Sequence, residues 1–165
     1  MLPLHYHENS ILVVGGMREE AEGSNEEHIS KLISKYEIET QIWTPKLKSL
    51  PAHLCSFSSA MLGTDLFIAG GLTPAGFSDC IYRVDLEKMK STQVLIEKFT
   101  MKLPTAPGEG KVIQTIASCM SASESNKCVF VFGGSTYESE TNAIFPVDVA
   151  HFKSIETDIT KNIVM

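Results

Sequence analysis

The sequence predicts an all-β fold. Short apolar runs of strand length recur along the chain, and glycine, proline or polar turn residues end each run. Three of the runs end in two adjacent glycines, at Gly15-Gly16, Gly70-Gly71 and Gly133-Gly134, which are 55 and 63 residues apart. No long amphipathic helical pattern interrupts them. A strand pattern repeated at this period is typical of an array of small antiparallel sheets, such as a β-propeller.

The first unit starts with a weak strand at residues 2–7 and continues through the apolar run at 11–14. Residues 17–28 contain five glutamates, and their charge density predicts a solvated loop. Further strands are expected at 29–38 and 41–44.

The second and third units repeat this order. In the second unit we expect strands at 53–62, 65–69, 80–86 and 93–99, with the loop 72–79 after the glycines. In the third unit we expect them at 112–121, 128–132, 143–149 and roughly 152–157. One domain, 1–165, therefore contains three four-stranded units, at about 2–46, 52–100 and 111–160.

A second feature recurs after each glycine pair. An aromatic residue and a large apolar residue follow with six residues between them: Tyr36 and Trp43, Tyr82 and Met89, Phe145 and Phe152. An acid follows each aromatic residue by three positions, at Glu39, Asp85 and Asp148. Together with the glycine pairs, this pattern resembles the kelch repeat over nearly the whole chain. The third and fourth strands would then fill the wedge between propeller blades with these large side chains.

The resemblance implies an arc of about three kelch-type blades, either incomplete or paired with a second copy through open blade edges, because propellers usually close with four to eight blades. The chain departs from the pattern in two ways. Tryptophan occupies the last position only in the first unit, and that unit has nine extra residues between the glycines and the tyrosine.

Function is expected in the longer loops, at 17–28, 72–79, 135–142, 46–52 and 102–110, which a four-stranded meander brings to one face. The candidate partner-binding residues are Glu19, Glu20, Glu22, Glu26, Glu27, His28, Asp79, Glu138 and Glu140. The acidic stretch suits a basic protein partner. The alternative is a solvated loop whose charge only maintains solubility.

We therefore expect a non-catalytic protein–protein interaction module. It could belong to a scaffold or to a recognition domain such as a ubiquitin-ligase adaptor, although an adaptor also needs a helical domain. The alternative is a fragment of a propeller-type enzyme, either a galactose-oxidase-like copper oxidase or a sugar-isomerising enzyme. No cofactor is expected, and His5-x-His7 alone does not make a metal site.

The composition excludes some classes of function. The net charge is −6 and only two arginines occur, so the basic patch of a nucleic-acid-binding protein is missing. No apolar run approaches the ~20 residues that span a bilayer. The four cysteines form no Cys-x-x-Cys pair and lie in apolar segments, which predicts free thiols in the cytoplasm.

Overall fold

The computed structural model describes residues 4–17, 28–88, 96–100, 119–125, 127–135 and 140–148. These residues form thirteen strands in small antiparallel sheets, without an α-helix among them. The all-β prediction is therefore confirmed for the part of the chain that the structure describes.

The first sheet is a four-stranded meander in the order β1-β2-β3-β4. Its strands are β1 Leu4–His7, β2 Ser10–Val14, β3 Leu32–Glu37 and β4 Ile42–Ser49. A two-residue turn at Glu8 and Asn9 joins the first two strands, with positive φ angles of 44° and 58°. Two positive φ angles are the geometry that matches the twist of paired strands.

The second sheet is also a four-stranded meander, with a small hairpin inserted before its third strand. Its strands are β5 Ser58–Leu62, β6 Asp65–Ala69, β9 Cys80–Asp85 and β10 Ile96–Thr100. The inserted hairpin consists of β7 Leu72–Thr73 and β8 Gly76–Phe77.

The third sheet contains three described strands in the order β11-β12-β13. They are β11 Cys119–Ser123, β12 Cys128–Ser135 and β13 Glu140–Asp148. The fourth strand expected at 152–157 lies outside the described residues, as do Met89 and Phe152.

The main core lies between the first and second sheets. Side chains from one face of each sheet meet there, together with two leucines of the segment 50–57, which connects the sheets. The cluster contains Leu12, Val14, Ile33, Leu50, Leu54, Leu66, Ile68, Cys80, Tyr82, Val84 and Leu86. Since all of these are nearly or fully buried, this joint is the main apolar contact between the two sheets.

Several expected boundaries were wrong. The fourth strand does not end at Thr44, because a bulge at Lys46 (φ 56°) lets β4 continue to Ser49, where the loop 46–52 was expected. The strand expected at 53–62 begins only at Ser58. The loops expected at 72–79 and 135–142 are shorter than predicted, since β7 and β8 lie in the first and β12 and β13 extend into the second.

The register of the first sheet also differs from the alignment that the sequence suggested. Ile33, Ile81 and Ile144 each pair with the residue that precedes the glycine pair of their sheet, so these three isoleucines occupy equivalent positions. The residues that follow them in the chain are Ser34, Tyr82 and Phe145. Tyr36 lies two residues beyond this position, where the other sheets have Val84 and Val147. A shift of two residues keeps a side chain on the same face, so alternation in the sequence does not reveal it.

Candidate functional site

The glycine pairs shape one end of the sheets. Gly15 and Gly16 directly follow β2, with φ angles of 57° and 94°. The Gly15 N–H donates to the Leu32 carbonyl oxygen at 2.9 Å, and the Ser30 N–H donates to the Gly16 carbonyl oxygen at 2.8 Å. The Ser30 hydroxyl oxygen then accepts the Leu32 N–H at 3.1 Å. This hydrogen-bonded corner joins the end of β2 to the start of β3.

The second sheet contains an equivalent corner with the same three hydrogen bonds. The Gly70 N–H donates to the Cys80 carbonyl oxygen at 3.0 Å, and the Ser78 N–H donates to the Gly71 carbonyl oxygen at 2.7 Å. The Ser78 hydroxyl oxygen accepts the Cys80 N–H at 3.2 Å. The same three bonds therefore recur in two units whose loops differ in length and sequence.

The corner serines were not singled out from the sequence. Ser30 and Ser78 are both buried and stand two residues before Leu32 and Cys80, respectively. Thr141 pairs with Gly134 at the equivalent place in the third sheet. A hydroxyl residue at a fixed place before the third strand is a signal that could have found them.

The connecting segment 50–57 is bound to the first corner and to the start of the second unit's insertion. Leu54 accepts the Gly16 N–H (2.9 Å) and donates its own N–H to the Ser30 carbonyl oxygen (3.0 Å). The next residue, Cys55, exchanges two backbone hydrogen bonds with Leu72, at 3.0 and 2.7 Å. This segment therefore fixes the position of the two corners with respect to each other.

The contacts explain why glycine occupies these corners. A Cβ atom at Gly71 would lie 2.6 Å from the Cys55 carbonyl oxygen and 2.8 Å from Phe57 Cβ. A Cβ atom at Gly15 would overlap the Leu54 carbonyl oxygen and lie 2.9 Å from the Phe57 ring. Because Gly15 and Gly71 have no side chains, the segment 50–57 has room to pass between the two corners.

Three side chains of the first unit and the connecting segment lie near the first corner: Met17, His28 and His53. Met17 is 67% exposed and pairs with Ile29 in a single β-bridge, which closes the base of the loop 18–27. His28 beside the bridge is exposed, and the ring of His53 is hydrogen-bonded through Nδ1 to the Ile29 carbonyl oxygen. The residues that flank the acidic stretch 18–27 therefore lie on a well-connected part of the first unit.

The predicted partner-binding residues are only partly placed. Glu19, Glu20, Glu22, Glu26, Glu27 and Glu138 lie outside the described residues. His28 is exposed at the base of the acidic loop, and Glu140 starts β13. Asp79 is half-buried next to the second corner, so of the described candidates His28 and Asp79 belong to this end of the first two units.

The Asp79 carboxylate accepts a hydrogen bond from the Cys80 thiol, with 3.1 Å between Oδ1 and Sγ. Burial raises the pKa of the Cys80 thiol, and Asp79 raises it further. Burial also raises the pKa of Tyr82 to about 12, and the neighbouring Cys80 and Asp79 act in the same direction. A neutral thiol is a poor nucleophile, so these groups suit packing better than covalent chemistry.

The aromatic positions of the repeat differ in their surroundings. Tyr82 is buried in the core between the first two sheets. Tyr36 is half-buried and contacts Trp43, with ring centroids 6.3 Å apart, while Trp43 is 47% exposed. The first aromatic pair therefore lies at the surface of the described structure and does not fill a wedge there.

Within the described residues, no three His, Cys, Asp or Glu side chains are grouped to hold a metal ion. No described helix is long and apolar enough to cross a membrane. No protein-family model matches the sequence, and no curated protein matches it significantly.

Proposed function

We propose that the chain is an arc of a kelch-type β-propeller that acts as a non-catalytic protein–protein interaction module. The observation that supports this proposal best is the glycine corner, which occurs with the same hydrogen bonds in two consecutive antiparallel meanders. Repetition of one construction along the chain is the defining property of repeat folds.

The binding surface is the end of the sheets where the corners lie. Residues 28–31, 50–57 and 70–79 come together there through backbone hydrogen bonds. Loops whose bases are fixed in this way keep a constant arrangement while their tips vary in sequence, which suits recognition of a partner. The partner proposed here is a protein with a basic surface, because the stretch 18–27 contains all five glutamates of the acidic loop and the whole chain has a net charge of −6.

The compartment proposed is the cytoplasm. Cys55, Cys80 and Cys128 are free thiols, and Cys55 and Cys80 are buried among apolar side chains. Reduced cysteines of this kind are common in proteins from reducing compartments.

A matched pair of charge-reversal variants tests the proposal. The first variant carries Glu19→Lys and Glu20→Lys in the acidic loop. The control carries Glu39→Lys and Glu87→Lys, which change the net charge equally at exposed positions away from the glycine corners. Proteins captured from a lysate by the wild-type chain are identified, and the binding of one purified partner is then measured at low and physiological salt.

The expected result is a roughly tenfold or greater loss of association rate for the loop variant at low salt, because charge complementarity steers encounter. The control variant should bind like the wild type. Equal binding by all three proteins would contradict a role for the acidic loop. Turnover of a sugar substrate, or copper that copurifies with the chain, would instead favour the enzyme alternative.

A further inference from the structure

The two joints between consecutive sheets are built from equivalent faces. We call the face of each sheet that is turned toward the next unit its downstream face, and the opposite face its upstream face. The downstream face of the first sheet contains Leu12, Val14 and Ile33. It packs on the upstream face of the second sheet, which contains Leu66, Ile68, Tyr82 and Val84.

The second joint uses the same positions one unit later. Counted from the glycine pairs, Phe67, Ala69 and Ile81 are equivalent to the downstream face of the first sheet, and they are nearly or fully buried. β5 of the second sheet lies alongside β11 and β12 of the third. The upstream positions Val129 and Val131 of the third sheet are buried too. The hairpin turns also meet, since the Gly63 N–H donates to Glu124 Oε1 at 2.6 Å.

The upstream face of the first sheet has no equivalent partner among the described residues. Ile11, Val13 and Tyr36 occupy positions that are fully buried in the second sheet, yet here they are only half-buried. Trp43 lies beside Tyr36 on the same face and extends its apolar surface to the outer strand β4. This face is as apolar as the faces that pack together at the two joints, but its side chains are more exposed to solvent.

The downstream face of the third sheet is the complementary end. Phe130 and Phe132 stand two residues apart on β12 and occupy the positions equivalent to Phe67 and Ala69. Their rings are stacked, with centroids 6.2 Å apart, and both side chains are half-buried. Among the residues that the structure describes, the first sheet therefore has one unfilled upstream face and the third sheet one unfilled downstream face.

We propose that a second copy of this chain docks head to tail, with the Phe130–Phe132 face of each copy on the Ile11–Trp43 face of the other. A heterologous joint of this kind closes into a ring when the rotation between copies completes a turn. Two copies satisfy all four open faces at once and give six units, which is within the four to eight blades of known propellers. This proposal concerns the end faces of the arc and is independent of the partner proposed for the loops.

Three glutamate substitutions of equal charge test the docking. Trp43→Glu alters the upstream end, Phe132→Glu alters the downstream end, and Ile42→Glu is the control. Ile42 is the neighbour of Trp43 on the same strand but points to the opposite face, and it is 56% exposed. Mass is measured by light scattering over a range of concentrations, and a cooperative thermal melt verifies that each variant is folded.

The wild type and Ile42→Glu should form a species of twice the 18.1 kDa chain mass. Trp43→Glu and Phe132→Glu should each dissociate, with a dissociation constant raised roughly a hundredfold as expected for the loss of a central anchor. An equal mixture of these two variants should restore a two-copy species, because one joint between them has both native faces. The fluorescence of Trp43, the only tryptophan, should become less accessible to acrylamide as the wild type associates.

A folded wild type that stays at 18.1 kDa at all concentrations would overturn the proposal. It would leave the end faces to further repeat units or to a different protein. Dimers that persist in Trp43→Glu, or variants that fail to complement each other in the mixture, would also overturn it, because association would then use another surface.

Discussion

Gly71→Ala should destabilise the protein strongly because its new Cβ atom has no room. Gly71 is buried at φ 98°, and the Cβ atom would lie 2.6 Å from the Cys55 carbonyl oxygen and 3.2 Å from Leu54 Cδ1. The nearest of these contacts is a backbone atom, which cannot rotate away as a side chain can. The segment 50–57 would therefore have to move, and with it the hydrogen bonds that connect the two sheets.

The loss of unfolding free energy expected for Gly71→Ala has two separable causes. Alanine at positive φ costs about 1–2 kcal/mol, and overpacking of a buried site costs about 1–3 kcal/mol more. The matched control is Gly63→Ala, since Gly63 has φ 58° but no atom within 4 Å of a Cβ added there. The unfolding free energy of Gly63→Ala should therefore fall only by the cost of alanine at positive φ. The lowering of unfolding free energy by Gly71→Ala should exceed that of Gly63→Ala by about 1–3 kcal/mol.

Urea titrations of the three proteins measure these free energies directly. In thermal melts, each kcal/mol should lower the Tm by about 2–4 °C in a chain of this size. Displacement of the segment 50–57 should also make the buried Cys55 thiol react faster with a thiol reagent in Gly71→Ala than in Gly63→Ala. Equal stability of the two variants would show that a Cβ atom at Gly71 does not displace the segment 50–57. That result would contradict the close contact between this segment and the second corner.

Three further outcomes are expected. Arg83→Ala should lower the unfolding free energy by about 1 kcal/mol, because Arg83 Nε and Nη2 both donate to Asp65 Oδ2, at 2.9 and 2.7 Å; unchanged urea midpoints would contradict this. Tyr82 has a folded-state pKa of about 12, above the ordinary value of 10, so stability should be intact below pH 10 and decline as pH rises from 10 to 12; Tyr82→Phe should remove this part of the decline. In native protein, the half-buried Cys128 should be alkylated before the buried Cys80, whose raised pKa keeps it neutral; peptide mass spectrometry that finds Cys80 labelled first would refute this order.

Two of the three strands expected to end at a glycine pair could be predicted well, whereas β12 continues past Gly133 and Gly134 to Ser135. Apolar runs of four or five residues that stop at glycine leave few alternatives to a buried strand, and β2 and β6 begin and end within a residue of the expected positions. Gly15, Gly70 and Gly133 have positive φ angles, which glycine adopts without a steric penalty. This information is local, which is why the sequence carries it.

The path of the segment 50–57 could not be predicted from the sequence. Leu54, Cys55 and Phe57 are apolar, so the sequence indicated burial, and a strand continuous with β5 was the simplest expectation. Its actual path depends on contacts with Gly15 and Gly71, which are distant in the chain. Long-range backbone contacts of this kind leave no periodic signal in the segment itself.

The aromatic alignment failed in the first unit for a different reason. Tyr36 and Ser34 share a face of β3, so a pattern of alternating residues fits either register. The bulge opposite β3, at Lys46, adds two residues to β4 and is not visible in composition. The predicted sites in the loop 18–27 and at Glu138 lie outside the described residues and stay predictions.

The passage of residues 50–57 between the corners also has a consequence for the order of events during synthesis. Leu50 and Leu54 follow the fourth strand of the first unit, yet their side chains complete its core, and Leu54 binds both Gly16 and Ser30. The first unit therefore cannot finish folding when its own four strands have left the ribosome. A truncated chain ending at Ser49 should expose the apolar surface of Val14 and Ile33, and any dissection of the protein into single units should keep residues 50–57 with the first.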